Sequence, residues 1–198
     1  MNVRDLVHVA FDCETTGVEP GRFINAPTRR HPERKVLVPR CEMIDVGAVV
    51  FEPEHFEVVR TFTTMIRPRY PEFEQDEARK VHGYTHNDWK HAPYIEKAVS
   101  SIRELLSGRA LVIHADRFDW TFLYIAGAVD MGLVPIVYDT KSMARAMLQN
   151  RLEIKGFSAS EIRKALGLPP EPQPHTGLRG AYSTYEMFRR LVVAKSDC

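Results

Sequence analysis

Two rhythms of apolar residues run along this chain. From Leu6 to Phe11 apolar side chains are interrupted only by His8, and the run empties into Asp12-Cys13-Glu14-Thr15-Thr16-Gly17, the pattern of a strand leading into a glycine turn. The segments from Met43 to Phe51 and from Val58 to Ile66 are β-rich, and the Glu52-Pro53-Glu54 break between them predicts an antiparallel meander. Further on the period changes to 3.6. Ile95, Ala98, Val99, Ile102, Leu105 and Leu106 form one helical stripe closed by Gly108. Ala110 to Ile113 reads as a short buried strand, Asp119 to Met131 as a helix ending at Gly132, and Pro135 to Tyr138 as a fifth strand. Helices follow from Lys141 to about Gln149 and from Glu161 to Leu166, the second capped by Ser158 or Ser160. Leu168-Pro-Pro-Glu-Pro-Gln-Pro174 is a stiff connector, and Ala181, Thr184, Phe188, Leu191 and Val192 mark a last amphipathic helix. Strands followed by alternating helix and strand predict an α/β fold: a mixed five-stranded sheet, first meander and then parallel, with helices on both faces.

Composition narrows the setting. At 198 residues and 44% hydrophobic, the chain can bury the core of a single domain spanning 1–198. A net charge of +1 gives no global basic field, so contact with a polyanion has to be local. The one concentrated source is residues 18–40, where Arg22, Arg29, Arg30, Arg34, Lys35 and Arg40 stand against Glu19 and Glu33, a basic loop insertion without regular periodicity. Cys13, Cys41 and Cys198 are too few and too scattered for a disulfide framework or a zinc site, which fits a reducing cytoplasm. The N-terminal apolar run is too short for a signal-peptide core or a membrane span.

The candidate chemistry begins at Asp12 and Glu14. Two residues apart at a strand end, they share one face of the sheet, and two acids aimed at one point repel each other unless a cation lies between them. Such a pair suits Mg²⁺, which takes oxygen ligands and leaves positions for phosphate oxygens. Capping of the following turn is the plainer role for the same residues. Trp89, Trp120, Tyr182 and Tyr185 could stack on bases, but aromatic residues at helical spacing are more often core. His82, His114 and Asp139 read as structural.

Phe11-Asp-Cys-Glu-Thr-Thr-Gly17 resembles the first motif of the DnaQ-like DEDDh 3′→5′ exonucleases, the family of proofreading subunits and oligoribonucleases. Further segments follow in that family's order: Met43-Ile-Asp-Val-Gly-Ala-Val-Val50, Ile66-Arg-Pro68, His82-Gly-Tyr-Thr85, His114-Ala-Asp-Arg-Phe-Asp119, Tyr138-Asp-Thr140 and His175-Thr-Gly-Leu-Arg-Gly-Ala-Tyr-Ser-Thr184. The resemblance covers nearly the whole chain. It implies a ribonuclease H-like exonuclease fold in which Asp12, Glu14 and Asp119 hold two divalent cations, Mg²⁺ or Mn²⁺, and His175 is the general base for the attacking water. The implied substrate is a single-stranded or 3′-end DNA or RNA. Thr15, Thr16 and Phe118 are then candidates to contact it, and Arg29, Arg30, Arg34 and Lys35 to grip its phosphates.

Three departures stand out. The basic loop of residues 18–40 is longer than the family's connection between its first two strands, Ala115 replaces an asparagine, and Gly180 stands where the family carries its fourth carboxylate. Gly180 has three readings: a lost metal ligand that impairs hydrolysis, a ligand replaced by another acid such as Asp116, or a different alignment of the last motif. The function expected is therefore a 3′→5′ exonuclease, impaired or not by Gly180. The alternative is a catalytically inactive chain that binds nucleic acid or docks on a polymerase or another nucleic-acid enzyme.

Overall fold

A computed structural model describes residues 6–26, 28–38, 40–115, 117–130, 132–149 and 154–196. In chain order the elements are β1 (His8–Thr15), β2 (Arg22–Asn25), β3 (Lys35–Val38), β4 (Met43–Phe51), β5 (Val58–Met65), α1 (Asp76–His82), α2 (His86–Trp89), α3 (Ile95–Leu106), β6 (Ala110–Ile113), α4 (Arg117–Ile125), β7 (Ile136–Asp139), α5 (Thr140–Leu148), α6 (Ala159–Ala165) and α7 (Gly177–Ser196). Five strands form one mixed sheet in the order β5-β4-β1-β6-β7. β5, β4 and β1 run antiparallel, as the meander predicts, and β1, β6 and β7 are parallel. Parallel neighbours need crossovers, which α3 and α4 supply.

Alternation along the strands separates two cores. Val9, Phe11 and Cys13 of β1, with Val46, Ala48 and Val50 of β4, pack against Ala98, Ile102 and Leu105 of α3 and Phe122 and Leu123 of α4. Ala10, Val49, Phe51 and Val112 face the opposite way, onto Ala181, Tyr185 and Phe188 of α7. The outer side of α7 carries Met187 and Leu191, which meet Ala144 and Leu148 of α5 and Ile162 of α6.

Helix α7 comes unusually close to the sheet at its first residue. A Cβ built on Gly47 of β4 would overlap the carbonyl carbon of Gly177 and the amide nitrogen of Leu178, and one on Gly177 would lie 2.5 Å from the Gly47 nitrogen and 2.7 Å from the Val46 carbonyl carbon. Backbone meets backbone here, an approach only paired glycines permit.

Three sequence expectations change. Residues 18–40 are not irregular: β2 and β3 pair as an antiparallel ribbon, and Thr28 and His31 exchange backbone hydrogen bonds between them. The short apolar runs Phe23-Ile24 and Val36-Leu37-Val38 are masked in the sequence by the surrounding charge. Helix α4 starts at Arg117 and ends at Ile125, short of Gly132. Gly127, with φ +74°, breaks it in the left-handed region, and Ala128 and Val129, which prolong the apolar pattern in sequence, are buried beyond its end. Lastly, β1 extends through Thr15, so Asp12 and Glu14 lie inside the strand. Among the described residues no helix is long and apolar enough to cross a membrane.

The glycine contact yields a direct test. Gly47→Ala should lower stability by about 1–3 kcal/mol, the usual range for overpacking a closed interior, measured by urea denaturation. Gly156→Ala, where a Cβ meets nothing within 4 Å, should leave the midpoint almost unchanged.

Candidate active site

Strand β1 carries the first two acids on the face that looks at α7. In register, Asp12 lies opposite Gly47 and Glu14 opposite Asp45. Asp45 is 3% exposed, and its Oδ2 accepts the Tyr84 hydroxyl at 2.8 Å and the Gly177 N–H at 2.9 Å. It therefore holds the start of α7 on the sheet. The Thr176 hydroxyl caps the same end by accepting the Arg179 N–H at 3.2 Å. One turn along, Gly180 lies directly over Asp12: a Cβ at 180 would overlap the Asp12 carboxylate and sit 3.0 Å from its Cβ. The carboxylate of Asp12 fills the space that a side chain at 180 would need.

Asp119 enters from the first turn of α4, 2% exposed, and its Oδ1 accepts the Cys13 thiol at 3.3 Å. His175 and Glu171 come from the proline-rich connector, with Glu171 Oε1 3.6 Å from His175 Nδ1. That connector is tethered: Arg163 Nε donates to the Pro169 carbonyl at 2.8 Å, Arg179 Nη1 to the Pro174 carbonyl at 2.6 Å, and the His175 N–H to the Val81 carbonyl at 3.2 Å. Arg163 is itself buried and also donates to Ser183 Oγ at 2.8 Å.

The other candidates are placed differently. Thr15 and Thr16 are buried, with hydroxyls engaged by the Gly17 carbonyl and the Glu42 N–H, both at 2.8 Å. Phe118 is partly buried against the α3/α4 core, its ring 5.0 Å from that of Phe122. Arg29, Arg30, Arg34 and Lys35 are exposed around the β2–β3 turn, and among the described residues no hydrogen bond or ion pair joins them to Asp12, Glu14, Asp119 or His175. Asp116, the acid considered as a replacement ligand, lies outside the described residues. Ala115 has φ +61°, a conformation asparagine adopts more readily than alanine, and its N–H donates to Asp139 Oδ1 at 2.8 Å. Asp139 also caps α5 through Lys141 and Ser142. His82, Trp89 and Tyr185 are buried, whereas Tyr182 is exposed.

Three residues of the site escape a reading of the sequence: Asp45, Tyr84 and Glu171. Each leaves a trace. Asp45 is an acid in an otherwise apolar strand, Tyr84 follows the Gly83 that ends α1, and Glu171 is an acid flanked by prolines four residues before His175.

Burial and mutual repulsion dominate the electrostatics. Burial, followed by the charges of Asp119, Glu14, Glu171 and Asp45, pushes the Asp12 carboxyl well above the usual range. Burial, then Glu171, Asp45 and Asp119, pushes Glu14 up to about 7. Burial also pushes Asp119 up to about 7, against the opposing pull of the Cys13 thiol. Glu14 is 9% exposed and has no hydrogen-bond or ion-pair partner among the described residues. No three His, Cys, Asp or Glu side chains among those residues converge to chelate a single ion, but the oxygen donors of Glu14 and Asp119, buried, and of Asp12, partly buried, have no ion-pair partner among the described residues, and such donors suit hard divalent cations.

These shifts fix the sign of a pH effect. The folded state keeps the Glu14 and Asp119 protons up to about pH 7, whereas the unfolded chain releases them near the ordinary carboxylate values, so their stabilising contribution is complete at low pH and is lost as pH rises through about 7. His8, His82 and His114, whose pKa values burial depresses, act in the opposite direction. The comparison must therefore be with Glu14→Gln: in chelator, the unsubstituted chain should lose melting temperature relative to the variant as pH rises from about 4.5 to 7, and Mn²⁺ should restore it.

The geometry can be set beside known proteins. No curated protein matches the sequence at a significant level. Among solved structures, the nuclease domain of 3′hExo, a DEDDh family member bound to rAMP, superposes with a TM-score of 0.69 at 14% identity, covering 95% of this chain and 92% of that one. Exonuclease X in complex with 5′ overhanging duplex DNA gives 0.63 at 16% identity, covering 96% and 93%. Escherichia coli Exonuclease I with a dT13 oligonucleotide gives 0.73 at 16% identity, covering 97% of this chain and 42% of that one. The mixed sheet with its flanking helices is thus the ribonuclease H-like exonuclease fold. Residues 9–188, from β1 into the core-facing part of α7, match the RNase T exonuclease family model, and the chain belongs to that family of nucleases.

Proposed function

We propose that this chain removes nucleotides from the 3′ ends of nucleic acid, with Asp12, Glu14 and Asp119 holding two divalent cations and His175 accepting the proton of the attacking water. The observation that carries this reading is a set of three carboxylates whose charges act on one another, Glu14 and Asp119 buried and Asp12 partly so, with no ion-pair partner among the described residues, together with a histidine anchored beside the start of α7. When bound, the cations stabilise negative charge developing on the phosphate. The chain's own residues do the rest. Asp45 sets the register of α7 against β4, and the tethered connector fixes His175 relative to β1. The Glu171 carboxylate, 3.6 Å from His175 Nδ1, stabilises the positive charge that the ring gains with the proton.

Fold relatives captured with rAMP, duplex DNA and dT13 support a nucleic-acid substrate. The β2–β3 ribbon supplies the grip: Arg29, Arg30, Arg34 and Lys35 are exposed and, among the described residues, form no ion pair, so they are available for phosphates. Gly180 favours one further reading, a chain that holds 3′ ends without cleaving them, because that position offers the cations no oxygen.

A single strand labelled at its 5′ end should shorten one nucleotide at a time with Mg²⁺ or Mn²⁺, stop on chelation, and remain intact with Asp119→Asn. His175→Ala should slow turnover by about 10²–10⁴-fold, the range for a lost general base. Tight binding of the strand with no shortening after prolonged incubation would instead select the non-cleaving reading.

Reversing the four cations of the ribbon should weaken binding to a single strand and flatten its salt dependence, by about 0.7 in logarithmic slope for every phosphate that the ribbon no longer neutralises. Fluorescence anisotropy across a salt series reads both effects. An unchanged slope removes the ribbon from the interface.

A further inference from the structure

His175 is held at the end of α1. Its N–H donates to the Val81 carbonyl at 3.2 Å, and the connector passes so near the following turn that a Cβ on Gly83 would lie 3.6 Å from the Pro174 Cβ. The next residue, Tyr84, donates its hydroxyl to Asp45 Oδ2 at 2.8 Å, the oxygen that also accepts the Gly177 N–H at 2.9 Å. Between these two attachments lies His82, which is buried. We propose that His82 is a positioning residue for His175: its imidazole fixes the turn from Val81 to Tyr84, on which both the connector and the start of α7 are hung. The proposal rests on the reading of His175 as the proton acceptor.

The ring makes a directional contact on each side. Its Nδ1 accepts the Tyr84 N–H at 3.0 Å, and a backbone amide can only donate, so Nδ1 carries no proton and the ring proton is on Nε2. Nε2 in turn stands 3.6 Å from Glu74 Oε1, and neither atom has a hydrogen-bond partner among the described residues. Glu74 is held by its other oxygen, Oε2, which accepts from Arg79 Nε at 2.8 Å. The carboxylate thus faces the ring N–H and decides which way round the imidazole lies. Tyr84 stacks on the same ring with centroids 5.5 Å apart, and the Trp89 ring lies 6.2 Å away. Burial, opposed by Glu74 and Asp45 and reinforced by Arg79, lowers the His82 pKa and keeps the ring in the neutral state that lets Nδ1 accept.

An apolar side chain could fill the same space, but it would leave the Tyr84 N–H without its acceptor and the buried Glu74 oxygen facing no polar group. The loss falls on the turn that carries both attachments. One route runs from the Val81 carbonyl to the His175 N–H, and the other from the Tyr84 hydroxyl through Asp45 to Gly177, two residues beyond His175. His82 therefore touches neither substrate nor reacting atoms, and it acts on the histidine from both sides of the connector's end.

Amide hydrogen exchange on the full chain, read residue by residue by NMR, tests this without reference to cleavage, with the melting temperature of each variant as the check on folding. His82→Leu fills the space without an acceptor, and His82→Asn restores an oxygen where Nδ1 stood. His82→Leu should speed exchange at His175 and Gly177 by about tenfold or more relative to the amides of β1 and β4, and should lower kcat by about 10–100-fold with KM little changed. His82→Asn should recover most of both. Unchanged exchange at the two amides in His82→Leu overturns the proposal, and so does an equal acceleration in His82→Asn, because bulk rather than the hydrogen bond would then matter. If His82→Leu does not fold, Tyr84→Phe carries the test, since it removes only the hydroxyl: exchange at Gly177 should rise by about tenfold, and an unchanged rate overturns the proposal. A strand left intact by the unsubstituted chain removes the proton-acceptor reading alone, and the exchange pattern still decides whether His82 holds His175.

Discussion

The site depends on one contact, the backbone of Gly177 laid against the backbone of Gly47. Neither residue has a side chain to keep the other away, so the first turn of α7 reaches strand β4 directly. The Asp45 carboxylate holds it there by accepting the Gly177 N–H, and Tyr84 ties the same oxygen to the segment after α1. Because Gly47 is the cross-strand neighbour of Asp12, fixing residue 177 also brings residue 180 over Asp12 and sets His175 on the acidic side of the sheet. One close approach thereby relates three distant stretches of sequence.

What gathers there is unfavourable taken alone. The charges of Asp12, Glu14, Asp45 and Asp119 act on one another, and burial desolvates Asp12, Glu14 and Asp119. A protein relieves such crowding by holding protons or by binding cations, and both alternatives belong to the same arrangement: Glu14 and Asp119 keep their protons up to about pH 7, and a divalent ion can take their place. The fold carries this strain because two cores on opposite faces of the sheet fix β1 independently of its acids.

The departures from family pattern acquire physical content once packed. Alanine at 115 sits in a left-handed conformation that asparagine tolerates better, a local strain next to the turn capped by Asp139. Glycine at 180 is more than a missing donor, since it lets the Asp12 carboxylate lie against α7. The connector, which its prolines make stiff in sequence, is also fastened by Arg163 and Arg179.

Much was legible in the sequence itself. The change from strand meander to alternating helix and strand determined the mixed sheet, because side-chain period depends on local geometry. Asp12 and Glu14 were recognisable because a two-residue spacing in a strand places both on one face whatever the rest of the chain does. Tertiary structure decided what depends on distance between segments. That Asp45 anchors α7 and that Gly47 meets Gly177 cannot be read from spacing, because each partner is far along the chain and only folding brings it near. The basic ribbon shows the same limit at short range: its strands were hidden because charge is conspicuous in a sequence, while pairing is a property of two segments at once.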